Sequence, residues 1–190
     1  VADEDPFADS RQESAQQSYV QQSDLSGTVR YVMPGTAPLQ RYAGDGGLAV
    51  AASLNFPTAV VVDKVGNLYV ADTMNHRVRL VNAVTGVITT LAGTGQPRFS
   101  GDGGSADQAA LNEPAALVLN TDETQLYVAD QSNHRVRMID LRTRVIQTVA
   151  GTGSATYDGD GKLGVETALA GPSGLAITGD QLYIADTFND

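Results

Sequence analysis

The chain has 190 residues, no cysteine, and 12 basic against 22 acidic side chains, a net charge of −10. That length suits one or two domains with a core of their own. The missing cysteines exclude disulfides, cysteine-ligated zinc, iron–sulfur clusters and a thiol nucleophile. The acidity argues against gripping nucleic acid or anionic membranes by bulk charge. No apolar run approaches the roughly 18 residues of a membrane helix, so no membrane insertion is expected.

Residues 1–26 form an acidic, glutamine-rich leader. Asp3, Glu4, Asp5, Asp9, Glu13 and Asp24 stand against Arg11 alone, a net of −5, and five glutamines fill much of the rest. So much charge with so few apolar residues cannot build a core, and the leader is expected to lie extended along a surface. Gly27–Pro34 differs: its Gly-Thr-Val-Arg-Tyr-Val overlays Gly86–Leu91. It reads as a lone outer strand placed to latch a ring.

From there the chain repeats. Gly44-Asp45-Gly46-Gly47, Pro57 and Leu68-Tyr69-Val70-Ala71-Asp72 return as Gly101-Asp102-Gly103-Gly104, Pro114 and Leu126-Tyr127-Val128-Ala129-Asp130. They return again as Gly159-Asp160-Gly161-Lys162, Pro172 and Leu182-Tyr183-Ile184-Ala185-Asp186. Asn75-His76-Arg77-Val78-Arg79 recurs as Asn133-His134-Arg135-Val136-Arg137. Several motifs kept in one register define a structural repeat.

Each unit predicts four short strands. In the first they are Ala59–Asp63, Leu68–Asp72, His76–Val81 and Val87–Ala92, with turns at 65–67, 82–86 and 93–95. The first strand is apolar on both faces, which predicts a sheet covered on both sides, as in radially stacked blades. The connector to the next unit holds a short Ala/Leu stretch, Ala106–Leu111, long enough for about one and a half helical turns.

The Pro, the β-run and Leu-Tyr-Val-Ala-Asp-x-x-Asn-His-Arg-Val-Arg resemble the NHL repeat, over about residues 27–190. The resemblance implies an all-β fold of four-stranded antiparallel propeller blades. Blade 1 falls at about 57–93, blade 2 at about 114–151 and a partial blade 3 at about 172–190, an incomplete ring of about two and a half blades. Thr187-Phe188-Asn189 continues the motif, but Asp190 stands where His76 and His134 stand. A stop inside that motif is expected to reflect a longer protein, or open faces covered by other chains.

The repeated polar residues read as structural. His76 and His134 are the only histidines and occupy equivalent places, so they are expected to hydrogen-bond in the corner between the second and third strands and to bind no metal. Asp72, Asp130 and Asp186, with Asn75 and Asn133, are expected to cap that corner or pair with an arginine such as Arg77 or Arg135. Asp45, Asp102 and Asp160 are expected to accept bonds from their own loop amides, or to line a ligand-binding rim. Asp158-Gly-Asp160 hints at a calcium loop, but Lys162 and Leu163 occupy ligand and glycine positions.

No catalytic, cofactor or metal set emerges, and the inner strands carry no titratable group. The expected function is a non-enzymatic protein-binding or scaffold component of a larger assembly, with other protein chains as partners. By resemblance, the long connectors place it outside the cytoplasm: secreted, periplasmic or in an organelle lumen. The alternative is part of a metal-dependent lactonase-like or lyase-like propeller whose site lies in other blades. An RNA-binding module would need a basic face, which the net charge opposes.

Overall fold

The computed structural model describes residues 42–159 and 161–189, together with the backbone of β1 (Val20–Ser23) and β2 (Val29–Val32). Asp160, Asp190 and the rest of the leader lie outside the described residues. β1 and β2 pair antiparallel, Val20 opposite Val32. β2 falls where the sequence predicts an outer strand, and its partner is a piece of the leader.

The repeat folds as two complete sheets and part of a third. β3 (Pro57–Val62), β4 (Leu68–Asp72), β5 (Arg77–Val81) and β6 (Ile88–Ala92) follow one another across the first. β7 (Pro114–Leu119), β8 (Gln125–Asp130), β9 (Arg135–Asp140) and β10 (Ile146–Ala150) do the same in the second. β11 (Pro172–Thr178) and β12 (Gln181–Asp186) form a two-stranded sheet. β7 lies between β3 and β11, so the inner strands fan about one axis. The described residues form an incomplete ring of antiparallel blades.

Local chemistry sets each boundary. Pro57, Pro114 and Pro172 open the inner strands, where a missing N–H costs the ladder least. The register shifts by one residue just after each of them, a bulge that adds twist. Turn carboxylates and amides fold back on the backbone: Asp63 accepts from the Val65 and Asn67 amides at 3.1 and 2.8 Å. Asp140 does the same with Arg142 and Thr143 at 2.9 and 2.6 Å. The Ala/Leu connector makes one 3-10 turn, Ala106–Gln108, rather than the longer helix expected. Its alanines are wholly buried, and a run so short does not sustain an α-helix without the costly nucleus being repaid.

Blade 1 turns Tyr69, Ala71, Val78 and Leu91 toward Leu117, Leu126, Val128 and Ile146 of blade 2. Val136 and Ala150 of blade 2, with Leu169 of the following connector, pack against Leu175, Leu182 and Ile184. The expectation that inner strands are covered on both faces holds for β7, none of whose residues is exposed. It fails for β3, where Thr58, Val60 and Val62 are exposed between half-buried neighbours. The reason is positional: among the described residues no sheet lies on that side of blade 1.

Glycines close the outer strands against the corners. A Cβ on Gly151 (φ +92) would lie 2.3 Å from the His134 carbonyl oxygen and 2.8 Å from the Arg135 Cα. Gly103 (φ +79) has open space around it. Gly103→Ala should therefore cost only the left-handed backbone strain, about 1–2 kcal/mol. Gly151→Ala must also displace backbone, and should lower the urea midpoint by at least about twice as much. Equal midpoints for the two variants would show that the corner yields freely.

Candidate functional site

β4 ends on a carboxylate because the chain must reverse there. Asp72 leads into a 3-10 turn, Thr73–Asn75, and His76 in the left-handed region (φ 53) completes the reversal into β5. The turn brings Asn75 back over Asp72. The Asp72 carboxylate is wholly buried and accepts from the Asn55 amide at 2.7 Å and from Asn75 Nδ2 at 2.9 Å. Arg79 Nη1 is 3.3 Å away. The other end of the same guanidinium donates to Asp45 at 2.6 Å. Asp45 also accepts from the Thr90 hydroxyl at 2.7 Å and from the Tyr42 hydroxyl. Arg77 lies over the Tyr42 ring at 3.7 Å and donates to the carbonyls of Asn75 and Thr94.

Blade 2 repeats the set. Asp130 accepts from the Asn112 amide at 2.7 Å, from Asn133 at 2.9 Å and from Arg137 at 3.3 Å. Arg137 bridges to Asp102 at 2.5 Å, and Phe99 takes the ring position beneath Arg135 at 4.0 Å. Asp186 keeps the first two contacts, the Ala170 amide at 2.6 Å and Asn189 at 2.5 Å.

Two expectations are corrected. The arginine that meets the β4 or β8 carboxylate is Arg79 or Arg137, not Arg77 or Arg135. Asp72 and Arg77 stand directly opposite in the ladder, whereas Arg79 is the diagonal neighbour. A long guanidinium reaches the diagonal partner, while the opposite one sits beside its stem. Asp45 and Asp102 are also not held by their own loop amides. The Gly46 and Gly47 amides donate to the Ile88 and Gly44 carbonyls, and the Asp45 carboxylate turns to Arg79. About a third of each of these two side chains faces solvent.

Burial pushes the Asp72 and Asp130 carboxyls upward, against the pull of their amide and arginine partners. For Asp45 burial also pushes upward, but the Tyr42 and Thr90 hydrogen bonds and the Arg79 charge outweigh it. Its pKa falls below the usual carboxylate range.

The histidines reach further than the corner. His76 Nδ1 accepts from the Glu113 amide at 3.1 Å, and His134 Nδ1 accepts from the Gly171 amide at 3.1 Å. Each ties one blade to the residue before the next blade's proline. Glu113 (φ 53) and Gly171 (φ 64) are left-handed, which turns their N–H groups toward the ring. This seam was missed in the sequence; the fixed offset from His76 to Pro114 and from His134 to Pro172 was the available signal. Burial lowers the His76 pKa, Glu113 raises it and Arg77 lowers it, for a net depression. Among the described residues no three His, Asp or Glu side chains gather closely enough to share a metal ion.

Residues 54–79, which hold Asp72, Asn75, His76 and Arg79, match the family model of the NHL repeat. This is an NHL-repeat propeller chain. NHL repeat-containing protein 2 of Homo sapiens is 34% identical over 154 residues, 78% of this chain and 21% of that protein. Teneurin-4 of Mus musculus is 32% identical over 72% of this chain and 5% of its own length. The chain thus spans about a fifth or less of these relatives. Among solved structures, an auxiliary nutrient binding protein from Bacteroides thetaiotaomicron superposes with a TM-score of 0.61. It is 19% identical over 88% of this chain and 40% of that one, a likeness of fold alone.

The NHL network predicts an order of costs. Asp130→Ala takes the wholly buried carboxylate from Arg137 and leaves the Asn112 amide and Asn133 without their acceptor, and should cost about 3–5 kcal/mol. Asp102→Ala removes a partly solvated partner and should cost about 1 kcal/mol or less. Chemical denaturation of the two variants checks this; a larger loss for Asp102→Ala would place the anchor in the connector.

The His76 seam predicts a pH dependence. Its folded pKa lies below the unfolded value of about 6.5, so the unfolded chain binds more protons between the two. The stability it contributes is full above about pH 6.5 and is lost as pH falls through the folded pKa. The upward-pushed Asp72 and Asp130 act in the opposite sense, so the informative quantity is a difference. The gap in unfolding free energy between wild type and His76→Gln should shrink as pH falls below about 6.5. A gap constant with pH would separate His76 from the seam.

Proposed function

We propose that this NHL chain is a protein-binding module and a component of a larger assembly. The observation that carries this reading is where polar and apolar groups go. Asp45, Arg79 and Asp72 are bound to one another, and the same set recurs in blade 2 as Asp102, Arg137 and Asp130, as a device that builds the blade would. Apolar sheet meets solvent as well as turns and connectors do: Val60 (38% exposed) and Val62 (49%) on β3, with Phe56 beside them, and Tyr183 (53%) on β12. Apolar sheet faces of this kind mark protein contact surfaces. The solvated thirds of Asp45 and Asp102 extend the reading to the connector rim, where Tyr42, Asp45, Arg77 and Asp107 border a groove of about 420 Å³. The excess of acids favours protein over nucleic-acid partners. The connector type adds an extracytoplasmic setting to the proposal.

The test places a photo-crosslinking residue at Val60 or Val62 and joins it to sedimentation of the chain. The expected outcome is a protein adduct at these positions. Association with that protein should be lost in a Val60→Asp, Val62→Asp double variant whose melting is unchanged. A chain that gives no adduct and sediments as a monomer from micromolar to near-millimolar concentration would overturn the reading.

A further inference from the structure

The groove of about 420 Å³ lies on the outer side of blade 1, walled by β6 and by the connectors that enter blades 1 and 2. The repeat supplies its own control here, because a residue that the blade needs recurs at the equivalent place. Asp45, Arg77 and Thr90 recur as Asp102, Arg135 and Thr148. Three other lining residues do not. Thr89 gives way to Gln147, Asp107 to Val165 and Gln108 to Glu166, and Tyr42 carries a hydroxyl that Phe99 lacks. Blade 2 forms the same four-stranded sheet with those replacements, so the fold does not require the blade 1 set. These departures come from separate stretches of chain and meet in one groove. Their polar groups stand as neighbouring donors and acceptors. Exposed Asp107 accepts from the Ser105 hydroxyl at 2.5 Å and from Gln108 Nε2 at 3.2 Å, which sets a carboxylate beside a carboxamide. Those two bonds hold the Asp107 carboxyl below the usual range, and that of Asp45 also lies below it, so both are ionised at neutral pH. Arg77 offsets part of this charge. Its Nη groups are taken by two carbonyls, and its buried Nε has no acceptor among the described residues. Ile88 exchanges its N–H and carbonyl with Gly47 and Gly46 of the connector. Thr90, two residues further along β6, turns its backbone groups to the same outer edge.

We propose that this groove binds a small uncharged saccharide, with Asp107, Gln108 and Thr89 as the residues that recognise it. A sugar hydroxyl donates and accepts at once, so a neighbouring pair of hydroxyls matches a carboxylate beside a carboxamide. Hydrogen bonds to an ionised carboxylate are the stronger kind, and Asp45 keeps a solvated third to offer them. An acidic sugar would be repelled by Asp45 and Asp107, and a cation by Arg77, so the mixed lining favours a neutral ligand. The volume falls within the range of small-ligand sites. The sugar is either free or carried as a glycan on a partner protein, and the chemistry of the groove is the same for both. The inference goes beyond the protein-binding reading: it uses the connector rim and leaves the β3 surface to a protein contact.

The test overlays the labelled 190-residue chain on an array of neutral, amino and acidic oligosaccharides, then titrates the strongest neutral binder by calorimetry. Saturable binding of at least one neutral saccharide is expected. The triple variant Thr89→Gln, Asp107→Val, Gln108→Glu copies the residues that the next unit places there, and should weaken that saccharide at least about tenfold. The single exposed change Gln108→Glu should weaken it at least about threefold, and decides the matter where the triple variant melts lower than wild type. Absence of neutral binding would overturn the proposal, as would affinity unchanged in these variants. Binding confined to amino or acidic sugars would make the groove a charge site and also overturn it. The same saccharide, offered free and as a glycan on a carrier protein, identifies the source. Equal affinity assigns the free sugar, and tighter binding to the carrier that deglycosylation abolishes assigns a partner's glycan; both support the site. Failure here with crosslinking intact at Val60 and Val62 would leave the protein-binding reading standing.

Discussion

A carboxylate taken wholly out of water at the end of the second strand is the constraint on which each complete blade is built. Asp72 and Asp130 are buried, and a buried charge is tolerated only with a full set of donors. Meeting that demand recruits four separate pieces of chain: the backbone before the proline, the asparagine of the 3-10 turn, the arginine of the third strand and, through that arginine, the connector aspartate. The tip of the blade is thus a polar knot tied around one oxygen pair. The sheet supplies apolar area, which is undirected, whereas the knot fixes which turn lies over which strand.

The seams between blades divide the work differently. Most of the area between blades 1 and 2 is aliphatic and would tolerate sliding. The histidine bond to the next blade's first amide is directional. The hydroxyls of Thr58 and Thr73 add bonds to the carbonyls of Ala115 and Pro114 at 2.9 and 2.8 Å. The angular step from blade to blade is therefore set near the inner ends of the sheets, by a few polar contacts laid over an apolar interface.

Strand order, the antiparallel sheets and the family were legible in the repeat, because Pro, Leu-Tyr-Val-Ala-Asp and Asn-His-Arg carry turn, pleat and corner chemistry in fixed register. Two kinds of information were not. The first was which arginine of an alternating pair meets the carboxylate. Arg77 and Arg79 are identical in composition and differ only in reach across the ladder, a geometric property that no residue type announces. The second was anything joining two units. His76 looks like part of its own corner until the next blade is placed beside it, since its partner is a backbone N–H and leaves no mark in the sequence. The exposure of Val60 was hidden for a related reason: an apolar strand reads the same whether its second neighbour is present or not.

The spacing of the polar knot sets an order of assembly during synthesis. Every partner of Asp72 lies between Asn55 and Arg79, and Asp45, which anchors the far end of that arginine, lies earlier still. Only Thr90 of the outer strand completes the set. A ribosome therefore releases everything one blade needs before the next sheet has been made. The seam must wait, because the amide that His76 receives belongs to Glu113. Blades of this kind are suited to mature singly and dock in sequence as the chain emerges, each newly docked sheet covering the apolar face that the one before it left open.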